Sequence, residues 1–482
     1  MSILARTFRQ MSLYTFFSII TLFVSFISFP ITTRIFSVEQ YGDFAIVNAT
    51  ILILLVVAKS GITSSFIRNY PEFAEEKKKY LYSSSIAGSF TFALAVFLFY
   101  SVTMLLLKRR IGTQLTEVFL MAGLTILSGS LDNLYSGYLR AEEKVLTLNV
   151  IGFVSKFGTV LSGLAICMLL IKNLSGYFLG VVIFDFAMAA GMSVYFYKRG
   201  LFKVDAVSFA VFKKLYAYGL PLVFYEISTL INDYSDRFLI KFYLGARQVG
   251  IYSAAYNMSL YTQGIINNPL WMTVFPIYTK LWSEKGPEET KRFLSLLLKY
   301  YICIGIIMVL SMSLLSKDLI TILATKKYAP AAPIVPIIIS SVMIYGTFHI
   351  TGAGFYLMNQ TRKIGIYMFV SALINIAVNL FMIPKYGIIG AAYSTFISYG
   401  LLTILINYKA GKLIKVKWPV RDIAFFISLA VIIELFLSRI NFTSALDDLI
   451  LKSAALFPVY GLFLIFYFKK INKLKFSNMN ID

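Results

Sequence analysis

Residues 240–257 read IKFYLGARQVGIYSAAYN, two apolar stretches parted by a short polar tip at Arg247-Gln248. Residues 34–49, RIFSVEQYGDFAIVNA, have the same cadence 208 positions earlier. In both, a glutamine stands two places before a glycine (Gln40 and Gly42, Gln248 and Gly250), an aromatic residue follows, and small residues lead into an apolar run. The repetition predicts matching outer turns in a duplicated helical membrane protein. The glycines would permit a tight reversal and the small residues close helix packing.

The rest of the chain agrees with a membrane setting. Of its 482 residues 58% are hydrophobic and 14% charged, with a mean hydropathy of +0.76; soluble domains run at roughly 45–50% and about 25%. At ~20 apolar residues per crossing, the chain holds about fourteen membrane helices and no soluble catalytic domain. Apolar windows place helices 1–6 in an N-lobe over residues 1–197 and a basic amphipathic linker over 198–216. Helices 7–12 form a C-lobe over 217–408, and helices 13–14 with a cytoplasmic tail fill 409–482. The first apolar run is longer than the ~7–15 residues of a signal-peptide core, so it is expected to remain as helix 1. The predicted fold is an all-α polytopic membrane protein of two pseudo-symmetric six-helix lobes around a central cavity, plus a C-terminal helix pair. Repeats with termini on the same side are related by an axis along the membrane normal.

The formal net charge of +22 is topological, because the lysines and arginines sit mainly in short loops between apolar segments. It gives no reason to expect nucleic acid. More than half of these residues fall inside if both termini are cytoplasmic, although Lys108-Arg109-Arg110 goes against that assignment. In the linker, Val204, Val207, Val211, Phe212 and Leu215 fall at helical spacing, which predicts an interfacial amphipathic helix. Cys167 and Cys303 stand alone in apolar segments and read as packing residues. His349, the single histidine, excludes a multi-histidine metal site. There is no GxxxxGK[ST] loop, no acidic cluster for a metal, and no loop large enough for a glycan polymerase or glycosyltransferase site. A transporter, not an enzyme, is expected.

Charges inside the bilayer cost ~2.5–3.5 kcal/mol or more, so they face water or a partner. Arg34, Lys59, Lys156, Arg237 and Lys241 are candidates to line the cavity and bind an anionic group; arginine suits phosphate as a bidentate fork and lysine as a point charge. For Lys59 and Lys156 the competing reading is snorkelling to the headgroups. Asp132, Asp185, Glu226 and Asp233 are candidates to carry a coupling ion, H⁺ or Na⁺, with no other cofactor and no metal. Asp185 could equally be a structural hydrogen-bond partner. Glu226, Asp233 and Arg237 lie within about 40° on one helix face, with Lys241 continuing the stripe, and Asp233 and Arg237 are an i,i+4 pair. That ladder reads either as cavity lining or as a self-compensated structural pair.

Three passages carry a resemblance: RIFSVEQYGDFAIVNA, GYLRAEEKVLTLNVIGF at 137–153, and above all DRFLIKFYLGARQVGIYSAAYNMS at 236–259. The chain resembles the polysaccharide flippases of the Wzx type, in the multidrug/oligosaccharidyl-lipid/polysaccharide exporter superfamily. The resemblance implies a bacterial inner-membrane protein that moves an undecaprenyl-diphosphate-linked oligosaccharide from the cytoplasmic to the periplasmic leaflet. It further implies alternating access, an ion gradient as drive, and other polysaccharide-assembly membrane proteins as partners. The alternative is a MATE-like cation-coupled small-molecule exporter, whose cavity would be dominated by carboxylates and aromatics; here the charge on helix 1 is Arg34.

Overall fold

A backbone inside a bilayer must satisfy its own hydrogen bonds, and helices do so segment by segment. The computed structural model describes residues 3–440 and 444–475 and is 91% helix, with no strand among the described residues. The predicted cytoplasmic tail lies, from residue 476 on, outside them.

The chain opens with α1 (Ile3–Ile35), α2 (Val38–Lys59), the short α3 (Ile62–Asn69), α4 (Lys78–Ile111) and α5 (Thr113–Ala141). It continues with α6 (Val145–Leu169), α7 (Leu174–Lys198), α8 (Phe209–Leu244) and α9 (Ala246–Thr262). Then come α10 (Asn268–Ala324), α11 (Val335–Gly346), the short α12 (Phe348–Thr351) and α13 (Ala353–Leu357), α14 (Thr361–Ala410), α15 (Val420–Leu437) and α16 (Ala445–Lys475).

Among the described residues ten stretches are long and apolar enough to cross a membrane, against the fourteen expected. Two of them, Ala246–Ala324 and Thr361–Ala410, run to 79 and 50 residues, far beyond the ~20 of one crossing. Each is interrupted by a glycine at positive φ, Gly286 and Gly387, where a side chain would be strained. Phe209–Leu244, which carries Glu226, Asp233, Asp236, Arg237 and Lys241, is not among the ten.

The chain forms two compact units, Met1–Ser253 with Met368–Leu380, and Ala254–Tyr367 with Phe381–Asp482. In the first, α5 packs on α2, α4 and α7, α6 on α1 and α7, and α8 on α2 and α3. Ile62, Phe66, Tyr82, Tyr138, Phe196 and Leu215 are central to its core. In the second, Cys303, Leu310, Phe426, Leu456 and Tyr460 join α10, α15 and α16. Large apolar side chains also stand outside: Phe99 is 76% exposed, Leu106 78% and Leu169 79%. Water would oppose that surface and a bilayer accepts it, so this is a multi-pass membrane protein.

The two matching passages pack on one another, but their glycines do not make the reversals. Gly42 and Gly250 lie inside α2 and α9, where a Cβ on Gly42 would stand 1.9 Å from the Ala246 carbonyl oxygen and one on Gly250 2.1 Å from that of Val38. The reversal between α8 and α9 falls to Gly245, at φ 84°. Ser37 starts α2 as a capping box: its Oγ accepts from the Gln40 N–H at 3.1 Å, and Gln40 Oε1 accepts from the Ser37 N–H at 3.0 Å, which satisfies two otherwise orphaned donors.

The segment 198–216 also differs from expectation. Instead of one amphipathic helix it has extended backbone at Lys203 and Ser208, a single turn at Val204–Ala206, and the first turns of α8 from Phe209. Its apolar residues do not share a face, for Leu215 is fully buried while Val204 is 76% exposed. The cause is a pair of distant hydrogen bonds: the Lys203 N–H donates to Ser83 Oγ and the Ser208 N–H to Ser84 Oγ, both at 2.9 Å. They fix the strand-like piece against the first turns of α4.

Candidate functional site

All nine charged candidates fall in the first unit, and eight of them, all but Arg34, stand on the helices of two contacts. The first is α2 against α8. Asp43 and Lys241 form an ion pair at one end, each partly exposed, and Lys59 and Glu226 attract one another at the other. Going from 43 to 59 on one helix and from 241 to 226 on the other places the helices antiparallel. At 1.5 Å per residue the pairs are ~23 Å apart along the helices, most of the ~30 Å hydrocarbon thickness.

Arg237, one turn before Lys241, is buried at 3% exposure. Its Nη1 donates to the Asp233 main-chain carbonyl at 2.6 Å and lies 3.8 Å from Asp236 Oδ1, and its guanidinium stacks 4.6 Å from the Tyr234 ring centre. Asp236 Oδ1 also accepts the Arg237 N–H at 2.7 Å, and Oδ2 accepts from the Tyr252 hydroxyl. A guanidinium taken out of water needs this compensation. The arrangement favours the structural reading of the α8 ladder at Arg237, with Asp236 as a carboxylate partner.

A neutral polar network continues from there onto residues 368–380 of α14. Asn232 Nδ2 donates to the Met368 carbonyl at 3.2 Å, Ser371 Oγ to Asn232 Oδ1 at 3.2 Å, Ser235 Oγ to Asn375 Oδ1 at 3.0 Å, and Asn379 Nδ2 to Asn375 Oδ1 at 3.0 Å. Asn232, Asp236, Asn375 and Asn379 are all fully buried. Sequence reading passed over Asp43, Tyr252, Asn375 and Asn379. Asp43 stands inside the repeated passage, directly after Gly42, and that was its one available signal.

The second contact joins α5, α6 and α7. Lys156 on α6 is exposed and attracted to Asp185 on α7. Thr159, one turn on, donates from Oγ1 to Asp185 Oδ1 at 2.6 Å. Asp132 on α5 repels Asp185 and keeps a buried Oδ1 with no hydrogen-bond partner among the described residues. Lys156 thus meets Asp185, which stands in turn against Asp132, and both carboxylates are half-buried. Arg34 is exposed at the end of α1, its Nη1 donating to the Pro30 carbonyl at 2.9 Å.

In the second unit an apolar cavity of about 440 Å³ lies among α10, α11 and α15, with Glu434 accepting from the Ser313 hydroxyl at its wall. Lys299 pairs with Asp422 at 2.8 Å. His349 packs 4.9 Å from Trp271 and 5.7 Å from Tyr345, the environment of a packing residue.

Over 288 residues the chain is 27% identical to an O-antigen transporter of Shigella flexneri, covering 58% of this chain and 66% of that protein. Over 242 residues it is 21% identical to the low-salt glycan biosynthesis flippase Agl15 of Haloferax volcanii, covering 49% and 51%. The matches thus span between half and two thirds of these relatives' length. The structure of the lipid II flippase MurJ in an inward closed conformation superposes with a TM-score of 0.74 at 19% identity, over 98% of this chain and 100% of that one, a likeness of fold. Residues 8–282 match the model for polysaccharide biosynthesis proteins. That match runs from within α1 into α10, with every charged candidate and more than half of the sequence, and the chain belongs to the polysaccharide biosynthesis protein family.

Proposed function

We propose that the protein translocates an undecaprenyl-diphosphate-linked oligosaccharide from the cytoplasmic to the outward-facing leaflet of the bacterial inner membrane, for surface polysaccharide assembly. The observation that carries this reading is the placement of Lys59 and Lys156 in membrane-spanning helices, each opposed by a carboxylate. Cations held by such partners can be lent to a diphosphate and recovered when it leaves. Family membership and relatives named for O-antigen and glycan transport support the substrate class.

Alternating access would expose these cations to one side and then the other, with both termini cytoplasmic. When the diphosphate engages Lys156 or Lys59, the displaced carboxylate, Asp185 or Glu226, is left to take H⁺ or Na⁺, and Asp132 and Asp233 extend the acidic set. This gives coupling a physical cause: substrate and ion compete for opposite halves of the same pair. A MATE-like exporter of organic cations fits less well, because Lys59, Lys156 and Lys241 would repel its cargo.

The test is deletion of the gene in its host. Lipid-linked repeat units accumulating on the cytoplasmic face while surface glycan disappears is the expected result; unchanged surface glycan would refute the proposal.

A further inference from the structure

A second cavity in the first unit, about 320 Å³, lies among α4, α5, α7 and the segment leading to α8. Ile86, Phe90, Leu131, Tyr135, Phe196 and Phe202 form its wall. Two of its hydroxyls engage one another, Tyr135 with Ser193 at 2.7 Å, so the interior presents mainly hydrocarbon and ring faces. The volume is far more than the ~30 Å³ share of one water. It opens at the surface, since Phe90 is 44% exposed and Tyr197, also in its wall, 72%.

The chain next to two of the wall residues is cationic. Lys198 and Arg199 follow Tyr197 directly, and Lys203 follows Phe202; all three are exposed. Arg199 stacks 4.7 Å from the Tyr195 ring, and the Lys203 backbone is anchored on α4 by its N–H donating to Ser83 Oγ at 2.9 Å. Asp205 is the one carboxylate in this segment. Three cations over an apolar slot between membrane helices match an anionic headgroup with an acyl chain. A free phosphate would leave the slot unfilled and a zwitterionic lipid would not use the charge.

We propose that this cavity is a binding site for an anionic phospholipid, one acyl chain lying against Phe90, Leu131 and Phe196 and the headgroup meeting Lys198, Arg199 and Lys203. None of the nine charged candidates is in its wall, and the lipid would seat the segment 199–208 beside α4.

The experiment uses the full chain in vesicles containing phosphatidylglycerol or phosphatidylcholine, each with a photoactivatable acyl chain, followed by peptide mapping. Labelling of peptides spanning residues 83–90, 131–135 and 193–202 is expected to favour phosphatidylglycerol about fivefold or more, since each nearby cation contributes about that factor. Lys198→Gln/Arg199→Gln/Lys203→Gln should bring the two lipids to parity. Ala87→Trp, which fills the slot, should abolish labelling by both. Equal labelling in the unaltered protein, or a preference that survives the triple substitution, would overturn the proposal. The triple substitution changes only exposed side chains, so it decides the matter even if Ala87→Trp does not fold.

Discussion

Gly42 and Gly250, 208 residues apart in the chain, meet so closely that a Cβ on Gly42 would stand 2.9 Å from the Gly250 nitrogen as well as 1.9 Å from the Ala246 carbonyl oxygen. The reciprocal contact, Gly250 against Val38 at 2.1 Å, joins the same two positions with the repeats exchanged. Glu39 and Arg247, again 208 apart, form an ion pair at 3.6 Å. Contacts that swap partners in this way mark a local two-fold axis. The repeat visible in the sequence is thus a self-complementary seam between α2 and α9.

Gly42→Ala and Gly250→Ala should each force the seam apart. Overpacking of this kind costs ~1–3 kcal/mol and outweighs the ~1 kcal/mol that alanine gains over glycine in a helix. Gly191→Ala in α7, where a Cβ meets nothing within 4 Å, should leave stability unchanged or raise it. Thermal unfolding in detergent reads the sign, and equal effects at all three positions would contradict the seam.

Arg237→Ala should act on folding. It leaves Asp236, fully buried, with a lost counter-charge, a change of ~3–5 kcal/mol when one partner of a buried pair is removed. Membrane abundance should fall sharply and recover in part in Arg237→Ala/Asp236→Asn. Normal abundance of Arg237→Ala with lost transport would return Arg237 to the substrate path.

Lys59→Ala and Lys156→Ala should act on transport. Removing a costly intramembrane charge lowers no packing term, so protein levels should stay within about twofold while surface glycan falls tenfold or more, the ~1.4 kcal/mol worth of one phosphate contact. Asp185→Asn should retain substrate binding but lose the response of transport to the ion gradient, measured by imposing pH and Na⁺ gradients in turn.

Outside the membrane, Glu72 ties α3 to the start of α8, through Arg68 at 2.6 Å and Lys214 at 3.1 Å. Hydrogen bonds from Lys214 and Arg68 hold its carboxyl below the usual carboxylate value of 4.5. A depressed folded-state value means the contribution is complete above pH 4.5 and disappears as pH falls through the lower folded value. Glu72 is exposed, so the effect is small. Glu72→Gln should unfold slightly earlier than the unaltered protein at pH 7, by a margin that shrinks as the pH is lowered below 4.5, checked by thermal melts across that range.

The membrane class, the helical content and the repeat were legible in the sequence because hydropathy and spacing are local properties. Lys59, Lys156, Glu226 and Asp185 were legible because a charge inside an apolar window has few explanations. What escaped was non-local. Asp43 acquires meaning only when α2 lies antiparallel to α8, and Asn375 and Asn379 only when residues 368–380 join the first unit. The stretch 198–216 was misread because helical spacing cannot reveal that Ser83 and Ser84, more than a hundred residues earlier, capture its backbone. Gly42 was assigned to a turn for a similar reason: a glycine demanded by a neighbouring helix looks the same as one demanded by φ.

The central claim is translocation of a lipid-linked glycan with the help of two cationic contacts, at Lys59 and at Lys156. Its most direct measurement is made in liposomes holding the purified protein and lipid-linked oligosaccharide extracted from the deletion strain, following the fraction of glycan open to an impermeant oxidant over time. The unaltered protein is predicted to move the buried half of the glycan outward, and the folded double variant Lys59→Ala/Lys156→Ala to leave it where protein-free liposomes do. Equal exposure with the unaltered protein and without any protein would contradict the account.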